Sequence, residues 1–344
     1  MLDVFRISID KIANCFKLPR ALPTILAMTQ NTEQGSDNLK LAIGAILVGV
    51  FALALGDALI KKSDAAFVIW QIFILRSIIA APLLVLCLRR RKADYSSGKA
   101  SGLMSVLLPK QLVWTLIRSA LLVVMWLIYY IALPKVDLSI AAASFYTLPI
   151  FITLFAALFL DERVGVFGWI AVVLGFCGVL LILQPQAEDF NLYVLLPIIS
   201  AVLYALGMIL TRSKCRDERP MVLSLWMNVT FILAGIIASL MIFVLQPTEE
   251  VRHSNLFLFG DWSPMDLSAW GNMIILSVAL LAGSLGAAIA YQSGPASTIA
   301  IFDFGYVAFA IIWGVLLFDE VLDFTTIIGI LMIVTGGILS TRRN

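Results

Sequence analysis

Four ionisable side chains lie within apolar stretches that are long enough to cross a lipid bilayer: Asp57, Arg76, Arg118 and Asp303. A charge at membrane depth costs several kcal/mol, so such groups usually face a cavity or a partner of opposite charge. Arg118 and Asp303 each follow the inner end of their predicted helix by six or seven residues. At about 1.5 Å per helical residue, both are expected about 10 Å from the same membrane surface. We therefore expect Arg118 or Arg76 to bind an anionic group such as a carboxylate. Asp303 would be the resting partner of that arginine or a protonation site, and a fixed ion pair between helices is the alternative.

Aromatic side chains accompany these charges. Trp114 and Tyr129 lie roughly on the helical face of Arg118, by a spacing of three to four residues. Tyr146 lies in another apolar stretch, between polar neighbours. Such rings could line a cavity for a flat or amphipathic solute, although ordinary packing and an interfacial belt are the alternatives. The candidate binding residues are Arg76, Arg118, Asp303, Trp114, Tyr129 and Tyr146.

The composition of the chain excludes most soluble classes of protein. Of 344 residues, 61% are hydrophobic and 13% are charged, against roughly 25% charged in an ordinary soluble domain. The mean hydropathy of +0.99 indicates an all-α integral membrane protein. The net charge of +2 argues against nucleic-acid binding. The single histidine, His253, and four cysteines without CxxC spacing predict no metal site, and we expect no cofactor.

Windows of about 20 residues with few charges predict ten transmembrane helices. They cover residues 40–60, 66–88, 112–133, 138–160, 164–184, 192–211, 221–245, 269–292, 296–318 and 321–340. Lys and Arg concentrate in alternate loops, which predicts a multi-pass inner (cytoplasmic) membrane protein with both termini in the cytoplasm. Residues 1–39 are expected to be a cytoplasmic extension, whether translation starts at Met1 or at Met28.

The two halves of the chain resemble each other. Residues 131–162 align without a gap to residues 289–320. This similarity predicts a first repeat at 40–185 and a second at 192–341, each with five helices. Because five is an odd number, the second repeat must be inverted in the membrane. Inverted repeats are common in secondary transporters, whose substrate site lies near the midplane between the two copies.

Both aligned segments end in an Asp-Glu pair, Asp161-Glu162 and Asp319-Glu320. Paired carboxylates can perform general acid–base chemistry. In an inverted repeat, however, these pairs lie on opposite sides of the membrane and cannot act together. We interpret them as helix caps or as tethers to basic loops.

With these features, the sequence resembles the ten-helix EamA family of the drug/metabolite transporter superfamily. The fourth predicted helix has Pro149 and then LFAALFLDE, and the fifth is the glycine-rich GWIAVVLGFCGVLLILQP. The second half repeats these features as WGVLLFDE and IIGILMIVTGGIL. The resemblance covers about residues 40–340. It implies alternating-access transport of a small organic metabolite, such as an amino acid, an amino-acid derivative or a nucleotide-like solute, across the cytoplasmic membrane.

Several alternatives stay open at this point. The resemblance also allows a multidrug or toxic-compound exporter, and the residues alone allow an integral-membrane enzyme or a non-transporting partner subunit, although we expect no enzyme activity. The expected partners are a small-molecule substrate and membrane lipids. Protons or a counter-substrate, and a second copy of the chain, are further options. The sequence has no Walker A motif, so we expect no direct use of ATP.

Overall fold

The computed structural model describes residues 38–62, 67–95, 107–132, 135, 138–184, 192–254, 256–318 and 324–341. Most of the predicted N-terminal extension, and the Asp319-Glu320 pair, lie outside these residues. The described helices are α1 (Leu39–Lys62), α2 (Ile69–Tyr95), α3 (Leu112–Ala132), α4 (Leu138–Phe145), α5 (Leu148–Phe159), α6 (Val166–Leu183), α7 (Leu195–Ser213), α8 (Pro220–Leu245), α9 (Glu249–Ser254), α10 (Leu256–Phe259), α11 (Leu267–Ser293), α12 (Ala296–Asp303), α13 (Gly305–Phe318) and α14 (Phe324–Ser340). A short 3₁₀ turn, Leu192–Val194, precedes α7.

Many of these helices are apolar on their outer surface. Eight helical segments of the described chain are long and apolar enough to cross a membrane, and two shorter apolar helices, Leu148–Phe159 and Phe324–Ser340, accompany them. Large apolar side chains such as Val173, Ile237 and Leu316 are 58%, 57% and 64% exposed. A soluble protein does not present so much apolar surface to water. The chain is therefore a multi-pass helical membrane protein.

Two predicted spans contain a short interruption of the helix, although the segment Ala296–Leu317 is still one of those long and apolar enough to cross a membrane. The span predicted at 138–160 is divided into α4 and α5, and the one at 296–318 is divided into α12 and α13. Pro149 lies in the first turn of α5, where its ring would clash with the carbonyl of Phe145 in an unbroken helix. The second break coincides with Gly305, and glycine has the lowest helix propensity after proline.

The two breaks lie at equivalent positions of the two halves. In the alignment of 131–162 with 289–320, Phe145 corresponds to Asp303, and these residues end α4 and α12. The broken helices also contact each other, because α12 packs against α5. A pair of interrupted helices in corresponding positions is the feature that most often marks a transporter site.

The most extensive helix contacts keep their pattern when the two halves are exchanged. The pair α1–α11 corresponds to the pair α7–α3, and both are extensive. The pairs α2–α8 and α6–α14 each correspond to themselves. The contact of α5 with α7 corresponds to the contact of α13 with α1. The architecture therefore fits two repeats that pack across a pseudo-two-fold axis.

Small residues such as Gly178 and Gly286 bring helices into backbone contact. A Cβ added to Gly286 of α11 would lie 2.5 Å from the carbonyl oxygen of Ala45 on α1. Likewise, a Cβ added to Gly178 of α6 would lie 2.7 Å from the carbonyl oxygen of Gly329 on α14. Helices in lipid gain most of their association energy from such close packing.

Candidate functional site

Arg118 is buried in the middle of the bundle, although it carries a full charge. Its side chain is 1% exposed. Its Nε donates a hydrogen bond to Oγ1 of Thr211 on α7, and that hydroxyl donates to the carbonyl of Gly207 at 2.8 Å. Its Nη1 is buried and has no hydrogen-bond partner in the described structure. A buried guanidinium with a free N–H is a ready binding group for a carboxylate or another anion.

Asp303 is the second buried charge, 4% exposed at the end of α12. Its Oδ2 accepts a hydrogen bond from the hydroxyl of Tyr291 on α11. Tyr204 of α7 lies close enough to Arg118 and to Asp303 to interact electrostatically with both. In the described structure no ion pair joins Arg118 to Asp303. Arg118 therefore bonds the hydroxyl of Thr211 and Asp303 bonds the hydroxyl of Tyr291, while Tyr204 lies near both.

Aromatic rings connect this pair of charges to the helix breaks. Tyr146 lies in the break between α4 and α5, and Tyr306 lies just after the break between α12 and α13, with ring centres 5.8 Å apart. Phe145 lies 6.3 Å from Tyr204 and 5.1 Å from Tyr129, measured between ring centres. The predicted residue Tyr146 therefore lies at the first break, beside Tyr306, whereas Tyr129 contacts Phe145 and reaches the charges only through other rings.

Two predicted site residues lie elsewhere. The guanidinium carbon of Arg76 lies 5.0 Å and 4.6 Å from the ring centres of Phe73 and Phe231, between α2 and α8. These cation–π contacts offset part of the cost of its burial. Trp114 is 36% exposed, and Nζ of Lys214 lies 5.6 Å from its ring centre.

The position of Trp114 follows from the helical face that α3 buries. Thr115, Arg118, Ser119 and Leu122 follow helical spacing and are buried. Trp114 falls at the edge of this face, is partly exposed and lies beside Lys214 instead. The side chain of Asp57 lies outside the described residues.

Sequence reasoning missed three hydroxyl residues of the site, Thr211, Tyr204 and Tyr291. A signal existed for two of them, because Tyr204 and Thr211 lie two turns apart on one face of α7. Tyr291 lies near the end of α11, where a tyrosine normally reads as an interfacial anchor.

A group of polar contacts, the Glu162 cluster, lies near this site and comprises Glu162, Arg212, Gln292, Ala296 and Ser297. Oε1 of Glu162 accepts from the backbone N–H of Ala296 at 2.9 Å, and Oε2 accepts from the N–H and the hydroxyl of Ser297 at 3.1 and 2.7 Å. Nε of Arg212 lies 3.8 Å from Oε1 of the same carboxylate. Glu162 is therefore both the N-terminal cap of α12 and a tether to a basic residue, as the sequence predicts.

Gln292 extends the cluster to the loop after α7. Its carbonyl accepts from Nη1 of Arg212 at 3.2 Å. Its Nε2 donates to the carbonyls of Cys215 and Glu218 at 2.6 and 2.8 Å. The cluster thus joins the ends of α5, α7 and α11 to the beginning of α12, on what we term the cluster side of the protein.

A polar cavity of about 460 Å³ opens on this side. It is lined by Lys110, Gln111, Lys214, Arg216, Asp217 and Glu218. Neither Arg118 nor Asp303 belongs to its lining, so the buried charges are separated from this surface.

Comparison with known proteins gives a family match in both halves of the chain. The EamA-like transporter family matches residues 40–184 and again residues 191–342. A crystal structure covers 86% of this chain and 96% of its own, with a TM-score of 0.65 at 16% identity, which shows the fold alone.

Individual relatives are named as transporters of different metabolites. The chain is 26% identical to the pseudopaline exporter CntI of Pseudomonas aeruginosa over 310 residues, 89% of this chain and 98% of the relative. It is 42% identical to a riboflavin transporter of Rhizobium johnstonii over 89 residues, 26% of this chain and 30% of the relative. It is 34% identical to a riboflavin transporter of Vibrio cholerae over 125 residues, 36% of this chain and 41% of the relative. The chain thus spans less than half the length of the two riboflavin transporters.

Proposed function

This chain belongs to the EamA-like transporter family, and on that premise we propose that it is a secondary transporter of a small organic metabolite. It would work by alternating access across the cytoplasmic membrane. The observation that carries the proposal is the pair of helix breaks at equivalent positions, with the buried Asp303 at one of them and the buried Arg118 within electrostatic reach of the same tyrosine, Tyr204. Broken helices free backbone groups for a substrate, and rocking of one repeat against the other exposes the site to each side in turn.

The chemistry of the site favours a substrate that carries an anionic group. The buried Nη1 of Arg118, which has no partner in the described structure, can donate to a carboxylate. Asp303 can accept from an amine of the substrate, or take up a proton during the cycle. The rings of Tyr146 and Tyr306 offer an apolar wall with polar tips. An amino acid, an amino-acid derivative or a nucleotide-like metabolite has this combination of groups.

We propose ten transmembrane segments, in which α4 with α5 and α12 with α13 each form one broken span. The cluster side would face the cytoplasm, because the basic residues Lys110, Lys214 and Arg216 lie there. Both termini would then be cytoplasmic. The second repeat would be inverted relative to the first, as the exchange symmetry of the helix contacts supports.

The test is transport by the purified protein in liposomes, with labelled amino acids, S-adenosylmethionine, riboflavin and cationic dyes as the panel. We expect saturable uptake of one class of compound, strongly reduced in Arg118→Ala. Trp114→Ala is the matched control, because Trp114 lies on the same helix and faces outward. Uptake no faster than in protein-free liposomes for every member, or full transport by Arg118→Ala, would overturn the proposal.

A further inference from the structure

The Glu162 cluster and the buried charges lie at the two ends of one short helix. Glu162 caps the first residues of α12, and Asp303 is its last residue. With eight residues, this helix is about 12 Å long at about 1.5 Å per residue. A displacement of the capped end therefore moves Asp303 as part of the same rigid element.

The end of α11 makes a second connection between the cluster and the charges. Tyr291 donates to Asp303, and the next residue, Gln292, binds Arg212 and the loop carbonyls. Consecutive residues of one helix thus hold the site and the cluster. Neither can change its partners without a shift that the other experiences.

The cluster is suited to two discrete states because its groups are mostly buried. The side chains of Arg212 and Glu162 are 11% and 14% exposed. A partial separation would leave a carboxylate and backbone N–H donors unpaired and incompletely hydrated, which is costly. The cluster is therefore stable when it is complete or when it is fully hydrated, and unstable in between.

We propose that the Glu162 cluster is a latch that closes the cluster side of the buried site, and that α12 transmits its state to Asp303. In this proposal the turn at Phe304, between α12 and α13, is the hinge at which α12 moves relative to the rest of the span. Glu162 is thus a positioning residue that acts on Asp303 through α12. The inference rests on the proposed transport function and adds to it the moving element and its lock.

Cys215 offers a native reporter of the latch. It is fully buried, and its carbonyl accepts from Gln292 within the closed arrangement. Burial also raises the pKa of its thiol above the ordinary value, although the nearby Arg118 acts in the opposite direction. Both effects slow alkylation, because the thiolate is the reactive form. Opening of the latch admits water and reagent and removes the protection.

The experiment measures labelling of Cys215 by a membrane-impermeant maleimide, with Cys15, Cys87 and Cys177 replaced by serine. Membrane vesicles of both orientations show the side from which the reagent enters. We expect Glu162→Gln to accelerate labelling at least tenfold from one side only. Asp161→Asn is the matched control, because Asp161 is exposed and has a left-handed backbone conformation that asparagine also adopts. We expect this control to label at the parent rate.

Ser297→Ala is a milder second variant, since it removes one of the contacts to Glu162 and leaves the backbone cap in place. We expect it to accelerate labelling less than Glu162→Gln, and it keeps the test valid if Glu162→Gln does not fold. Equal labelling in these variants and in Asp161→Asn would overturn the latch. The readout does not require transport, so an absence of transport by the parent protein would overturn only the proposed function.

Discussion

Two glycines of α11, one in contact with α1 and one without a close neighbour, allow the effect of packing on stability to be measured separately from the effect of helix propensity. The perturbation is Gly286→Ala, where a new Cβ would lie 2.5 Å from the Ala45 carbonyl oxygen and 3.0 Å from Cα of Gly49. The matched control is Gly271→Ala on the same helix, where a new Cβ would have no atom within 4 Å. Both variants add the same methyl group to α11.

The magnitude follows from these distances. Non-bonded atoms pack best at about 3.5 Å, so α1 and α11 must separate by roughly 1 Å to admit the methyl group. Overpacking of this kind costs about 1–3 kcal/mol. The gain in helix propensity from glycine to alanine is about 1 kcal/mol and is common to both variants. We therefore expect Gly286→Ala to be less stable than Gly271→Ala by about 1–3 kcal/mol in the free energy of unfolding.

The assay is thermal unfolding of the two purified variants in the same detergent, followed by the loss of monodisperse protein on size exclusion. We expect a lower midpoint for Gly286→Ala and a midpoint at or above that of the parent for Gly271→Ala. Because Tyr291 lies further along the same helix, transport should fall in the first variant alone. Equal midpoints for the two variants would refute the inference that α1 and α11 meet at backbone contact.

Three further predictions concern the buried charges. Tyr291→Phe and Asp303→Asn should be energetically coupled, and a double-mutant cycle on unfolding should give about 0.5–3 kcal/mol; additive effects would contradict the hydrogen bond. Thr211→Val leaves a buried N–H of Arg118 without its acceptor and should cost about 1–3 kcal/mol of stability. Thr230→Val, which also loses a hydroxyl bonded within its own helix, is the control and should cost less. Asp303→Asn should abolish the acceleration of uptake by an imposed pH gradient in liposomes, and undiminished acceleration would exclude a protonation role for Asp303.

The spans were predictable from the sequence because the bilayer imposes a length of about 20 apolar residues. The two breaks were not predictable, because each broken span remains apolar overall across the interruption. In the sequence alone, Pro149 is compatible with a kinked but continuous span, and Gly305 is compatible with an unbroken helix. Whether such a residue bends a helix or ends it depends on the neighbours that take up the freed backbone groups.

The burial of Arg118 and Asp303 was predictable from the cost of charge in lipid, whereas their partners were not. Depth along a helix fixes one coordinate of a residue and leaves its direction around the helix axis open. The sequence predicts the same depth for Arg118 and Asp303, yet each side chain bonds a different hydroxyl group. Tyr291 was overlooked because a tyrosine in an apolar segment carries no charge to mark it.

The two helix breaks are equivalent in position but differ in chemistry, because Asp303 ends α12 and Phe145 ends α4. In a protein with two identical halves, exchanging the conformations of the halves would leave the free energy unchanged. The two extreme states would then be equally populated. Asp303 has a carboxyl group where the first half has the phenyl ring of Phe145. At this position only the second half can gain or lose a charge, so the two states would no longer have equal free energy. In the proposed cycle, the preference for one resting state would therefore arise at positions where the halves differ, such as Phe145 and Asp303.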